Sequence, residues 1–278
     1  MRLGEEIAAD EARKGHSRVA RKLRGALLST DEEAAPANPT PVGAPVSSAL
    51  MPVAPAEDLE EVVLPGSVRG QLEEVLQEWR QREALEAAGV SRRTKLLFHG
   101  PPGSGKTLTA RALGGEMSLP VLVVRFDGVV GSYLGQTASR LRELFRYAEA
   151  FPSVLVLDEI DALAQRRGNP RDVGELDRVV ISLLQELEHS RPKGLVVASS
   201  NLPGALDDAL WRRFDLVLDY PKASSKQLLA FGRQRMSSLG VRANRAILRA
   251  LGRSRSFADA ERVVTDAHRR AVLARGME

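Results

Sequence analysis

"KLLFHGPPGSGKTLTARALGGEM", residues 95–117, decides how the rest of the chain is read. A short aliphatic run leads into a turn with glycines at 100, 103 and 105, and a helical pattern follows directly. Its centre, Gly100–Thr107, fits G-x-x-x-x-G-K-[ST] in the strand–loop–helix context that gives the pattern meaning. The glycines let backbone N–H groups curl around phosphate oxygens, and a helix N-terminus adds a favourable dipole. The expected phosphate site therefore comprises Pro102, Gly103, Ser104, Gly105, Lys106, Thr107 and Leu108. Lys106 is placed to neutralise β- and γ-phosphates, and the Thr107 hydroxyl to ligate Mg²⁺.

Outward from this turn, aliphatic runs recur at 95–99, 121–126, 154–158, 195–200 and 216–220. Runs of this length suit strands covered on both faces. Helical patterns near 105–117, 136–150, 172–189 and 206–212 separate them, which predicts a parallel five-stranded sheet with crossover helices. After "DYPKAS" the strands cease, and helices are expected near 224–239, 243–251 and 257–273. The last carries Ala260, Val263, Val264, Ala267 and Ala271 on one face. The expected class is an α/β P-loop domain over 59–221 with a small helical domain over 222–278.

The run "VLVLDE", 154–159, delivers two carboxylates to the C-terminal tip of a buried strand, where ligands bind in open α/β sheets. Asp158 is expected in the Mg²⁺ shell and Glu159 as the group that polarises an attacking water. Side chains alternate along a strand, but a turn at its end lets both reach one site. Asp161 reads as a helix-capping acid.

The remaining sequence bounds the problem. Residues 1–33 read as a helical pair, with Val19, Leu23 and Leu27 forming an apolar stripe. The Pro- and Ala-rich span 34–58 reads as an extended linker or as an arm lying along the protein surface. No apolar run approaches the roughly 20 residues that span a bilayer, and the start has no secretory pattern. The chain has no cysteine, which excludes disulfides, thiolate metal sites and thiol catalysis and fits a cytoplasmic location. Its 40 Lys and Arg against 36 Asp and Glu, only seven of them lysine, read as an interleaved mixed-charge surface rather than a nucleic-acid footprint.

"SVLVLDEIDALAQRR", with "LVVASSNLPGALDDALWRRFD" after it, resembles the AAA subgroup of AAA+ ATPases, from about Leu59 to the C-terminal end. The resemblance implies ATP and Mg²⁺ as ligands and a helical lid for the C-terminal domain. It implies that Asn201 senses the γ-phosphate, and that Arg212 and Arg213 reach a neighbouring subunit's site. The adjacent arginines of "RRF" look like the spastin and katanin branch. Trans-acting arginines imply a homo-oligomer, in this family usually of six. "GSYLGQT", 131–137, matches the family's pore loop at Tyr133 and Leu134, with Gln136 where glutamate is usual. The alternative for Tyr133 is packing into the core beneath the loop. "RSRSFADAER", 253–262, aligns with the lid's nucleotide turn at Ala258 and Asp259 but lacks its glycines, and Arg253 and Arg255 carry no assigned role.

These features together predict a ring ATPase that threads a protein substrate, with residues 1–33 choosing substrate or partner. Two alternatives stand beside it. One is an ATPase of DNA transactions, of the helicase-loader or transposition-regulator kind. The other is an ATP-gated assembly switch for a partner. The lead-in to residue 107 looks like a bacterial single-ring group often encoded beside a subtilisin-like protease, which makes such a protease a candidate partner.

Overall fold

The computed structural model describes residues 50–53, 59–124, 134–161, 173–202, 204 and 206–275. The expected helices of residues 1–33 and the loop residue Tyr133 lie outside this set. Six strands form one sheet: β1 (Leu50–Val53), β2 (Lys95–His99), β3 (Val121–Val124), β4 (Val154–Leu157), β5 (Leu195–Ser200) and β6 (Leu216–Asp219). Their order is β1-β3-β4-β5-β2-β6, and every pairing is parallel except β1 with β3. The five parallel strands are the five aliphatic runs. Each residue of β4 and β5 is buried, as a sheet covered on both faces requires.

β1 is the departure from the sequence reading, since it falls in the span read as linker or arm. "LMPV" supplies an apolar strand, and Pro52 opposite Leu122 removes one ladder donor. Proline is tolerated in this way on an edge strand.

The crossover helices follow their apolar periods. In α4 (Leu134–Ala150) the buried residues Leu141, Leu144, Phe145 and Ala148 recur at three- and four-residue steps. α3 (Lys106–Met117) buries Ala110, Leu113 and Met117, and α5 (Val173–His189) buries Val179, Val180, Leu183 and Leu187. A one-turn helix, α6 (Asp208–Trp211), starts where the Asp207 carboxylate accepts the Ala209 N–H at 2.9 Å.

Two helices before β2 were not read from sequence. α1 (Gly66–Arg80) buries Val68, Leu72, Val75 and Leu76 against the sheet, and α2 (Arg82–Ala87) buries nothing. Arginines fix this lead-in. Arg69 donates to the carbonyls of Leu59 (3.2 Å) and Val62 (2.7 Å). Arg93 pairs with Glu78 (2.6 Å) and Glu74 (3.0 Å), while Arg92 stacks on Trp79 and donates to the Gly194 carbonyl at 3.0 Å.

The C-terminal segment expected to form the lid comprises α7 (Ser225–Ser238), α8 (Arg245–Arg253) and α9 (Phe257–Arg275). Ser224 and Gln227 form a capping box on α7, and Asn244 caps α8 by accepting the Ile247 N–H at 2.9 Å. Leu228, Met236, Leu251, Ala260 and Val264 make its core. Charge is divided along the chain rather than interleaved, contrary to the sequence reading. Residues 222–278 hold thirteen Lys and Arg against four Asp and Glu, leaving 27 against 32 in residues 1–221.

Gly194, at the entry to β5, has no space for a side chain. A Cβ built there would stand 1.9 Å from the Ser153 carbonyl oxygen, a backbone atom that cannot rotate away. Gly70 in α1 has nothing within 4 Å of the same position. Gly194→Ala should lower stability by about 1–3 kcal/mol, whereas Gly70→Ala should raise it by up to about 1 kcal/mol. Chemical denaturation of both variants checks the contrast, and equal midpoints would refute it.

Candidate active site

Because β5 lies between β2 and β4, the C-terminal ends of three strands stand side by side although the chain visits them far apart. This is the crevice where an open parallel sheet binds ligands. β2 runs into the glycine-rich turn, β4 into Asp158 and Glu159, and β5 into Asn201.

The turn begins at Gly100, whose φ of 142° and close approach to β6 both demand glycine: a Cβ would lie 2.1 Å from the Tyr220 carbonyl oxygen. It ends at the α3 N-terminus, where orphan N–H groups face the cavity. The Lys106 side chain turns back into the loop. Its ammonium donates to the carbonyls of Gly100 (2.7 Å) and Pro101 (3.0 Å) and to Asn201 Oδ1 (2.8 Å). Burial pushes its pKa down, opposed by the nearby carboxylates of Asp158, Asp161 and Glu159.

The Thr107 hydroxyl donates to Asp158 Oδ2 at 3.0 Å, so a hydroxyl and a carboxylate meet at the mouth of the loop. Ser199 donates to the other Asp158 oxygen and accepts the Glu159 N–H at 3.1 Å. Glu159 has φ 56°, a left-handed conformation uncommon outside glycine. That turn resolves the strand's alternation, and both carboxylates line the same cavity. Asn201 Nδ2 donates to Glu159 Oε1 at 3.2 Å. Asp161 is buried and accepts the Asn201 backbone N–H at 3.0 Å. It braces the end of β5, and the residues it was expected to cap lie outside the described set.

A cavity of about 650 Å³ contains all seven phosphate-site residues expected from sequence, together with Asp158, Glu159 and Asn201. Of its far end only Ala258 was anticipated from sequence. Val62, Val63, Phe231, Phe257 and Ala258 make an apolar wall there, edged by Arg111 and by an Arg235–Glu261 pair at 3.0 Å. The lid touches the loop directly, through the Phe257 N–H to the Gly103 carbonyl at 3.1 Å. The apolar period of α7 and α9 marks both phenylalanines as lid core, and only the tertiary fold exposes them to the cavity. Of the two aligned lid residues Ala258 lines this cavity, whereas Asp259 faces a groove elsewhere on the lid.

Arg212 and Arg213 lie outside the cavity. Arg212 is exposed, and Arg213 pairs with Glu188 at 3.0 Å. Leu134 is the first residue of α4, and its side chain is outside the description. Among the described residues no three His, Cys, Asp or Glu cluster as metal ligands. Mg²⁺ does not require such a cage, since it keeps waters and phosphate oxygens beside one or two protein ligands. The Thr107–Asp158 pair is a donor set of that kind. No helix among the described residues is long and apolar enough to cross a membrane.

Residues 96–222 match the family described as "ATPase family associated with various cellular activities (AAA)". The protein named "Uncharacterized AAA family ATPase y4kL", from Sinorhizobium fredii, is 34% identical over 280 residues, covering 98% of this chain and 84% of its own length. Peroxisomal ATPase PEX6 of Saccharomyces cerevisiae is 37% identical over 170 residues, or 58% of this chain. The rat PEX6 protein is 42% identical over 154 residues, or 53% of this chain. Each alignment spans only 16% of the PEX6 protein. With a relative 34% identical over 98% of its length and a family match over residues 96–222, the chain belongs to the AAA family of ATPases.

Proposed function

We propose that this ATPase is a ring motor that pulls a protein substrate through a central pore. The observation that carries its chemistry is the convergence of Lys106, Thr107, Asp158, Glu159 and Asn201 on one cavity. Lys106 and the α3 N-terminus hold the β- and γ-phosphates, as buried donors aimed at developing charge. Thr107 and Asp158 would hold Mg²⁺, which would neutralise phosphate charge. Glu159 orients and deprotonates the attacking water, and Asn201, already bonded to both Lys106 and Glu159, positions the two relative to the γ-phosphate.

Among the described residues the cations lining the cavity besides Lys106 are Arg111 and Arg235, and Arg235 is paired with Glu261. Arg212 and Arg213, outside their own cavity, suit delivery to a neighbouring subunit's site. Head-to-tail contacts of this kind close into a ring, each contact completing one site, and the family resemblance implies six subunits. Tyr133 and Leu134 support the threading reading by their place in the sequence, after β3 and at the start of α4. An aromatic–aliphatic pair grips polypeptide without reading its sequence. A subtilisin-like protease is a candidate partner or substrate.

Glu159→Gln should retain ATP affinity and lose turnover by about 10²–10⁴-fold; brisk phosphate release by that variant would remove Glu159 from its role. An arginine acting in trans is worth about 10³–10⁵ in rate, so Arg212→Ala should fall toward the lower end with Arg213 still present. Mixing Arg212→Ala with Glu159→Gln subunits should recover activity beyond either alone, and no recovery would place the arginine in its own subunit's site. Tyr133→Ala should keep ATPase activity and lose unfolding of a tagged substrate protein. Undiminished unfolding would move the tyrosine out of the pore.

A further inference from the structure

The charge of the lid is far from that of the whole chain, and most of it is unspent. Of its four acids Asp259, Glu261 and Asp266 are among the described residues, and each is engaged. Asp259 meets Arg262 at 3.6 Å and accepts the Arg255 backbone N–H at 3.3 Å. Glu261 binds Arg235 at 3.0 Å and Asp266 binds Arg269 at 2.6 Å. Arg242, Arg245, Arg249 and Arg253 are exposed, and among the described residues their side chains make no hydrogen bond or ion pair.

Arg245, Arg249 and Arg253 recur every fourth residue of α8, so they form one stripe with steps of about 6 Å along the axis. Arg242 extends it just ahead of the Asn244 cap. Like charges four apart destabilise a helix, so the stripe costs the lid stability that an opposite charge would restore. Arg249, Arg253 and Arg255, with Asp259, rim a groove of about 550 Å³ floored by Ala246, Ala250 and Val263. A second groove of about 560 Å³ shares that floor and carries Arg242 and Arg270, with Asp266, on its rim.

We propose that the α8 face of the lid binds the phosphate backbone of nucleic acid without reading base sequence. A duplex presents one charge per about 1.7 Å of its axis, so a row of guanidinium groups finds acceptors in any register. Guanidinium forks also match phosphate oxygens bidentately. An acidic protein is the weaker fit. Exposed positions on this face are Arg, Ala, Asn and Gly, and offer none of the large apolar anchors around which protein interfaces are built. None of the four arginines lines the ATP cavity, so the proposal stands apart from the threading reading.

The test uses the full chain and labelled mixed-sequence duplexes of about 30 base pairs, titrated from about 50 to 200 mM salt. Wild type should bind unrelated duplexes equally, with affinity falling steeply with salt. Arg245→Gln/Arg249→Gln/Arg253→Gln, which keeps good helix formers, should bind at least about tenfold more weakly. It should also lose about 2–3 from the log–log salt slope, near 0.9 for each phosphate contact removed. Basal ATPase activity should be unchanged, which separates lost binding from lost folding. Absence of wild-type binding at the lowest salt, or a variant with wild-type affinity and slope, overturns the proposal. So does tighter binding of polyglutamate than of a duplex of equal charge, which assigns the face to acidic protein. Lost ATP-dependent assembly with intact duplex binding also overturns it, making the stripe a contact between subunits.

Discussion

A buried ammonium group sets the terms for the whole cavity. Lys106 is only 6% exposed, and a charge removed from water without partners is too costly for a domain of ordinary stability. Its three donors are therefore satisfied by two carbonyls of its own loop and by the side chain of Asn201. The last bond ties the loop after β2 to the end of β5. The same amide then donates to Glu159, so one hydrogen-bonded path runs from the phosphate loop to the second carboxylate. An anion that binds Lys106 must displace one of those oxygens. If it displaces Asn201, the partner of Glu159 is free to reorient as well.

Glu159 is the second constraint. Left-handed backbone at a non-glycine residue costs roughly 1–2 kcal/mol, and it persists only where the surroundings over-determine it. Here Ser199 accepts the Glu159 N–H and donates to Asp158, Ser199's own carbonyl accepts the Ile160 N–H, and Asp161 accepts the Asn201 N–H. These bonds stitch the tips of β4 and β5 together. The strain is local, and it brings two adjacent carboxylates onto one side of a strand that would otherwise separate them.

Most of the α/β frame was legible because its signals are local. Aliphatic runs bounded by turn residues gave β2 and β5 at their observed limits, and each crossover helix carries its own apolar period. The phosphate loop was legible because its chemistry needs contiguous residues. The rest depends on contacts distant in sequence. β1 is four residues with a proline and becomes a strand only because β3 offers an open edge. α1 has an apolar stripe, but without the sheet the glycines at 66 and 70 and the proline before it argue for a turn. The bonds that Ser199 and Asp161 make were not legible, because their partners lie about 40 residues away. The cavity's apolar wall joins Val62 to Phe257, a juxtaposition no periodicity encodes.

The lid connects these local facts to larger behaviour. α7 places Phe231 and Arg235 on the cavity wall and, one residue along from Phe231, packs Gly232 against α8. A Cβ at Gly232 would stand 2.4 Å from the Leu251 side chain, so the two helices are in direct contact with no intervening layer. α9 begins at Phe257, which meets both Phe231 and the phosphate loop. Close-packed elements of this kind move together, because a dense interior transmits displacement rather than absorbing it. Any adjustment of the lid to a nucleotide thus carries the α8 arginines with it as one body. The whole-chain excess of four positive charges conceals this arrangement, since it averages an acidic remainder with a strongly basic lid. Net charge informs about partners only when it is counted over the unit that moves.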